Sequence, residues 1–187
     1  PQPTLDLADI FGREAPLVIE IGSGHGESIV AAATAQPDTN FLGFEVFEAS
    51  IAATLGKISD AGLSNVRLIA ADAISGLIHL IEDASVTEIL IFFPDPWQKK
   101  RHHKRRLVSP GFLDLVSQKL IDGGILRLAT DWDSYAQAMR DHLGADPRFA
   151  LIDEQRFHLR PLTKFESRGI AAGRTIQDMA YQLKARS

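Results

Sequence analysis

The chain has 187 residues, 45% of them apolar and 24% charged, with a formal net charge of −4. That balance excludes a disordered or fibrous chain, and the length suits one hydrophobic core, so residues 1–187 are read as a single domain. Cysteine is absent, which removes disulfides, thiolate nucleophiles and thiolate-bound metals.

In chain order, Leu17 to Ile21 is a short apolar run that ends at a glycine cluster, and Glu27 to Ala35 carries helix formers up to the break at Pro37. Strand, loop and helix follow from that pattern, and the same alternation continues. Asn40 to Glu45 reads as a strand, Ala49 to Ala61 as a helix closed by Gly62, and Val66 to Ala70 as a strand ending near Asp72. A helix around Ile74 to Ile81, a strand from Glu88 to Phe93, and a helix from Pro110 to Leu120 stopped by Gly123 and Gly124 come next. Ile125 to Ala129 is the fifth strand, and Trp132 to Leu143 a helix that Asp131 or Asp133 is placed to cap. Phe149 to Phe157 and Thr175 to Leu183 read as two more strands joined by a long polar segment without a crossover helix. The expected fold is therefore α/β and doubly wound, a mostly parallel sheet of seven strands with an antiparallel C-terminal pair at one edge.

The longest apolar runs, such as Ile89 to Phe93, fall far short of the roughly 20 residues a membrane span needs, and no signal peptide opens the chain. A soluble, cytoplasmic protein with no membrane partner is the expectation. The chain opens at Pro1, which leaves room for an upstream segment.

A net negative charge taken alone argues against a polyanionic partner. The average hides a local excess: six of the 20 Lys and Arg residues lie between Lys99 and Arg106, with His102 and His103 among them. Lys100, Arg101, Lys104, Arg105 and Arg106 are dense enough to neutralise several phosphates with release of counterions.

Ligands of open α/β sheets bind beyond the carboxyl ends of the strands, where the strand order reverses. After the first strand comes Glu20-Ile21-Gly22-Ser23-Gly24-His25-Gly26, a G-x-G-x-G loop in which Gly22 and Gly24 let the backbone turn sharply and approach a ligand. Glu27 stands where the dinucleotide fingerprint needs a third glycine, and the Gly-Lys-Ser/Thr of a P-loop is absent. Four acids follow strands one to four or precede the loop: Glu20, Glu45, Asp72 and Asp95, expected to converge on one crevice. Glu45 is placed to accept from ribose hydroxyls and Asp72 to meet an adenine amino group. Glu20 and Asp95 would repel a pyrophosphate and attract a sulfonium and an ammonium, so S-adenosylmethionine fits and NAD fits poorly. Each acid taken singly is as readily a helix cap or a solvated surface group.

Phe92-Phe93-Pro94-Asp95-Pro96-Trp97 follows the fourth strand, and the two prolines hold Asp95 out of a helix. Trp97 suits packing under the loop ahead of stacking on a purine. His102 and His103 are adjacent and lie among cations, which does not suit a metal pair, so no metal is expected.

The run from Phe92 to Arg106 closely resembles the signature of the bacterial tRNA (guanine-N7)-methyltransferases. So do Ala129-Thr130-Asp131-Trp132 and the segment Arg160-Pro161-Leu162-Thr163-Lys164-Phe165-Glu166-Ser167-Arg168-Gly169. The resemblance implies a Rossmann-like class I methyltransferase fold, S-adenosylmethionine as cofactor, and tRNA as partner, methylated at N7 of the variable-loop guanine. It further implies cofactor contacts at Glu20, Glu45, Asp72 and Asp95, with Asp95 also at the catalytic centre, and nucleotide contacts at Lys99, Asp131, Thr163, Lys164, Phe165 and Glu166. Ser23, His25 and Phe47 depart from the pattern. Two rival readings stand beside it: methylation of an exocyclic amino group of adenine or cytosine in RNA, and a non-catalytic RNA-binding module on the same sheet.

Overall fold

Alternation along the central strands sorts the apolar residues into two layers, one on each face of a single sheet. Leu17, Ile19 and Ile21 belong to the larger core cluster with Ile89 and Ile91, while Val18 and Leu90 belong to the smaller one with Phe41 and Val66. Successive side chains of a strand point to opposite faces, and both faces are covered by helices, so a central strand can be apolar throughout. The structure, a computed structural model, describes residues 4–186, the side chain of Lys164 excepted.

The strands are β1 (Leu17–Ile21), β2 (Asn40–Glu45), β3 (Val66–Ala70), β4 (Val86–Phe92), β5 (Leu120–Thr130), β6 (Phe149–Asp153) and β7 (Gln177–Leu183). Their order in the sheet is β3-β2-β1-β4-β5-β7-β6. The first five pair in parallel, and β7 runs antiparallel to both β5 and β6. From β1 the chain builds outward through β2 to β3 and then returns to lay β4 on the other side of β1. That reversal opens the crevice beyond the carboxyl ends of β1 and β4.

The helices are α1 (Leu7–Phe11), α2 (Glu27–Ala35), α3 (Glu48–Asp60), α4 (Ala73–Leu80), α5 (Pro110–Lys119), α6 (Asp133–Ala145) and α7 (Lys164–Ala171). Local chemistry sets several ends. Asp72 caps α4 by accepting from Ser75 N, Ser109 caps α5 from Phe112 N with Pro110 at the first helical position, and Thr163 caps α7 from Glu166 N. Neither Asp131 nor Asp133 caps α6: Trp132 holds that position without a side-chain bond.

Four segments add to or differ from the sequence reading. β5 begins at Leu120, ahead of the glycine pair, and its register against β4 shifts between Val86 and Glu88, with Gly123 at φ 78° in the irregularity. β6 ends at Asp153, and Phe157 turns instead into the smaller core cluster. The polar stretch between β6 and β7 contains α7, and the basic run forms a 3-10 helix over Lys100–Arg105. No helix among the described residues is long and apolar enough to cross a membrane.

Candidate active site

The glycine loop is shaped by its neighbours. Gly22 N and Ser23 N both donate to Phe44 O, at 2.9 and 3.2 Å, which ties the exit of β1 to the end of β2. Gly26, at φ 79°, has no room for a side chain, because a Cβ there would stand 2.5 Å from Thr54 Cγ2. Thr54 in turn donates from Oγ1 to Gly24 O at 3.0 Å, so α3 clamps the loop from below.

Glu45, at the end of β2, is oriented by three backbone donors. Its Oε2 accepts from Gly24 N at 2.8 Å, and its Oε1 accepts from Val46 N at 2.7 Å and Phe47 N at 3.0 Å. Oε1 is filled by its two donors, and Oε2 keeps acceptor capacity for one more. Glu20 stands in contrast. It is 3% exposed, its Oε2 has no hydrogen-bond partner, and Ser23 Oγ beside the loop is likewise buried and unpaired. Burial, then the nearby charge of Glu27, pushes the Glu20 carboxyl up to about 8, with partial relief from the Ile29 backbone.

Glu20, Gly22, Ser23 and Gly24 line one face of a cavity of about 520 Å³. Phe92 and Phe93 at the end of β4, with Thr163, Phe165 and Arg168 of the α7 region, line the other. The exit of β4 is bent hard: Phe93 and Trp97 sit at φ 53° and 43°, in the left-handed region that disfavours bulky side chains. Such conformations persist where the surroundings over-determine them. Phe93 N donates to Ala129 O at 2.8 Å, its ring lies 5.4 Å from that of Phe165, and the Arg160 guanidinium lies 5.3 Å from its centroid.

Arg160 is the hub of the C-terminal half. Its side chain is fully buried, pairs with Asp178 on β7 and with Glu166 on α7, and stacks 5.0 Å from the Phe92 ring. Arg156 adds a second ion pair to Glu166. Sequence reasoning missed this clamp, although Arg160 opens the segment whose motif was recognised.

The structure brings some of the expected residues together and parts others. Glu20, Gly22, Gly24, Thr163 and Phe165 share the main cavity, and Glu45 is bonded to its rim. Asp72 is exposed and engaged as the cap of α4, outside that lining. Asp95 is exposed and lines a separate shallow pocket with Trp97, Lys99 and His102. The four acids, expected to converge on one crevice, therefore do not line one cavity. Trp97 is half-buried, with the Arg105 guanidinium 5.0 Å from its ring and His102 edge-on at 5.9 Å.

Glu166, where the resemblance implied a nucleotide contact, is 0% exposed and both its oxygens accept from arginines. Asp131 is also buried and is paired with Arg174 at 2.7 Å. The expectation for Lys164 falls on a side chain outside those described.

Lys99, Lys100, Arg101, Lys104 and Arg105 are exposed, as phosphate contacts require. Arg106 corrects the pattern: it is buried, donating to Pro96 O at 2.9 Å and to Ser134 O and Oγ at 3.0 Å each, with the Tyr135 ring 4.7 Å away. Burial lowers its guanidinium below the ordinary value. It anchors the basic segment to α6 and leaves the other cations outside. Among the described residues, no three His, Asp or Glu side chains gather as a metal would need.

The fold is that of the class I methyltransferases: the 16S rRNA methyltransferase KamB superposes with a TM-score of 0.70 at 15% identity, over 98% of this chain and 96% of that one. The family described as putative methyltransferase matches residues 14–179. The tRNA (guanine-N(7)-)-methyltransferase of Cutibacterium acnes is 49% identical over 97% of this chain and 68% of its own length. That of Nocardioides sp. is 51% identical over 96% and 73%. The chain belongs to the tRNA (guanine-N7)-methyltransferase family.

Proposed function

We propose that this chain acts as one methyltransferase domain on the variable-loop guanine of tRNA, with S-adenosylmethionine held between the Gly22–Gly26 loop and the exit of β4, and with the exposed cations of the Lys100–Arg105 segment gripping the RNA backbone. The observation that carries this is Glu20: a buried carboxylate oxygen without a partner, at the strand-order reversal, in a cavity walled by glycine backbone and three phenylalanines. A cationic ammonium is the partner such an oxygen lacks, and the ribose hydroxyls of the same cofactor suit the spare acceptor capacity of Glu45. When bound, S-adenosylmethionine supplies an electrophilic methyl on a sulfonium.

The residues' part in the reaction is alignment and charge. Guanine N7 carries an in-plane lone pair and no proton, so methyl transfer to it would ask the chain's residues for alignment and would need no general base. The purine gains positive charge, and acceptors placed nearby lower the barrier. Asp95 is the free carboxylate for that role, since Glu166 is neutralised by Arg156 and Arg160 and Asp131 is paired with Arg174. Pro94 and Pro96 restrict the backbone on either side of it. Phe93 and Phe165 exclude water from the apolar wall.

The test uses labelled S-adenosylmethionine, a tRNA transcript carrying the variable-loop guanine, and nucleoside analysis of the product. The expected product is 7-methylguanosine at that position, lost when the guanine is replaced by adenine. Asp95→Ala is expected to lower turnover about tenfold or more, some 1.4 kcal/mol in the barrier, with an unchanged thermal melt. A methyl found on an exocyclic amino group, or near-normal turnover by that variant, would overturn the reading.

A further inference from the structure

A second cavity, of about 490 Å³, lies between the 3-10 helix, the start of α6 and the turn leading into β7. It shares no lining residue with the Glu20 cavity. Lys100 and His103 reach it from the basic segment, Asp131 and Trp132 from the end of β5, and Arg174 from the turn after α7. Its chemistry is mixed. The Arg174 guanidinium lies 5.6 Å from the Trp132 ring and bonds Asp131 Oδ2 at 2.7 Å through Nη1, while its side chain stays 42% exposed. Arginine has five N–H donors, so this contact leaves donors for another acceptor. Asp133 is engaged with Gln177, whose Nε2 donates to Oδ1 at 2.7 Å.

α7 borders the first cavity and reaches this one through Asp131. Thr163, Phe165 and Arg168 face the Glu20 cavity, whereas Gly169 packs on Asp131 so closely that a Cβ would stand 3.1 Å from Oδ2. Asp131 is thereby fixed between Gly169 and Arg174, and the pair presents a planar cation beside an indole. That combination suits a nucleotide: a base stacks on the aromatic or guanidinium plane, and its phosphate meets the cations.

We propose that this cavity binds a second nucleotide of the tRNA, a neighbour of the methylated guanine, with Arg174 and Lys100 on its phosphate and the Arg174–Trp132 pair against its base. The inference rests on the tRNA reading above. Arg174 then acts in holding the RNA and takes no part in holding the methyl donor.

The experiment measures tRNA binding across a salt series, steady-state methylation, and S-adenosylmethionine affinity by calorimetry. It compares the wild-type chain with Arg174→Ala, Arg174→Lys, and Arg174→Ala made in an Asp131→Asn background. Arg174→Ala is expected to weaken tRNA binding about fivefold to tenfold and to reduce the slope of log K against log salt by roughly 0.7–0.9, one phosphate contact. KM for tRNA rises, while kcat at saturating tRNA and S-adenosylmethionine affinity stay as in wild type. Arg174→Lys keeps the slope and recovers part of the affinity, because the charge remains and the plane is lost. An unchanged slope and KM in Arg174→Ala, with a wild-type chain that methylates tRNA normally, would overturn this inference alone. So would a loss that vanishes in the Asp131→Asn background, since Arg174 would then serve only to neutralise Asp131. A wild-type chain that neither binds nor methylates tRNA overturns both readings.

Discussion

Glu20 and Glu166 are both buried glutamates, one lining the cleft and the other on the helix that borders it, and the fold treats them in opposite ways. Glu166 is enclosed by Arg156 and Arg160, and Arg160 also bonds Asp178, with Nη2 2.9 Å from Oδ2, so the charge on α7 is spent inside the protein. Glu20 is enclosed by apolar strand and glycine loop, with one oxygen left without a partner. A buried ion pair with its hydrogen bonds satisfied makes architecture, whereas a buried acid left unpaired is a cost that a ligand of opposite charge relieves. Burial alone does not tell a binding residue from a structural one; the partner list does.

The comparison breaks most visibly at Arg160. Arg160→Met leaves Glu166 and Asp178 buried with less compensation, and is expected to cost about 3–5 kcal/mol of stability, read from urea or thermal unfolding. Joint replacement of Arg160, Glu166 and Asp178 by apolar residues of similar volume is expected to recover much of that loss. If Arg160→Met unfolds like wild type, the clamp is not what holds α7.

Glu20 should respond in the opposite sense. Glu20→Gln is expected to weaken S-adenosylmethionine at least about tenfold without lowering the melt of the free protein. The pH dependence has a definite sign. Folding raises the Glu20 carboxyl from 4.5 to about 8, so between those values the folded chain holds a proton that the unfolded chain has released. Glu20 therefore makes the free protein lose stability as pH rises through that window, and its contribution levels off above it. A cationic ligand favours the ionised form, so its binding expels the proton, and affinity climbs with pH up to about 8. Calorimetry in buffers of different ionisation enthalpy reads that proton release directly, and Glu20→Gln should abolish it. Equal proton release by both proteins would remove Glu20 from the ligand site.

The smallest effect is expected on the rim. Lys104 is exposed at the end of the basic segment, so Lys104→Ala should leave the melt unchanged and lower the salt slope of tRNA binding by roughly 0.7–0.9. A shifted melt with an unchanged slope would place Lys104 with Arg106 as a structural cation.

Much of this protein was legible in one dimension because its strands alternate with helices and end on chemistry-bearing residues. The apolar runs at Leu17–Ile21, Asn40–Glu45 and Val66–Ala70 are local properties, and those three strands fall where the pattern puts them, whereas β5 starts earlier and β6 ends earlier than the pattern suggests. The glycine loop, the Pro94-Asp95-Pro96 segment and the cation run sit at strand ends for the same reason. Partnership was not legible, because it depends on which distant side chains share a volume. Sequence treats Arg105 and Arg106 as equals, and only packing against Ser134 and Tyr135 turns the second inward. Sequence likewise offers both Glu20 and Glu166 as ligand contacts, the first for the cofactor and the second for the nucleotide. The antiparallel return of β7, which carries Asp178 to Arg160, spends one of them, and the low dielectric of the sheet's interior leaves the other unsatisfied.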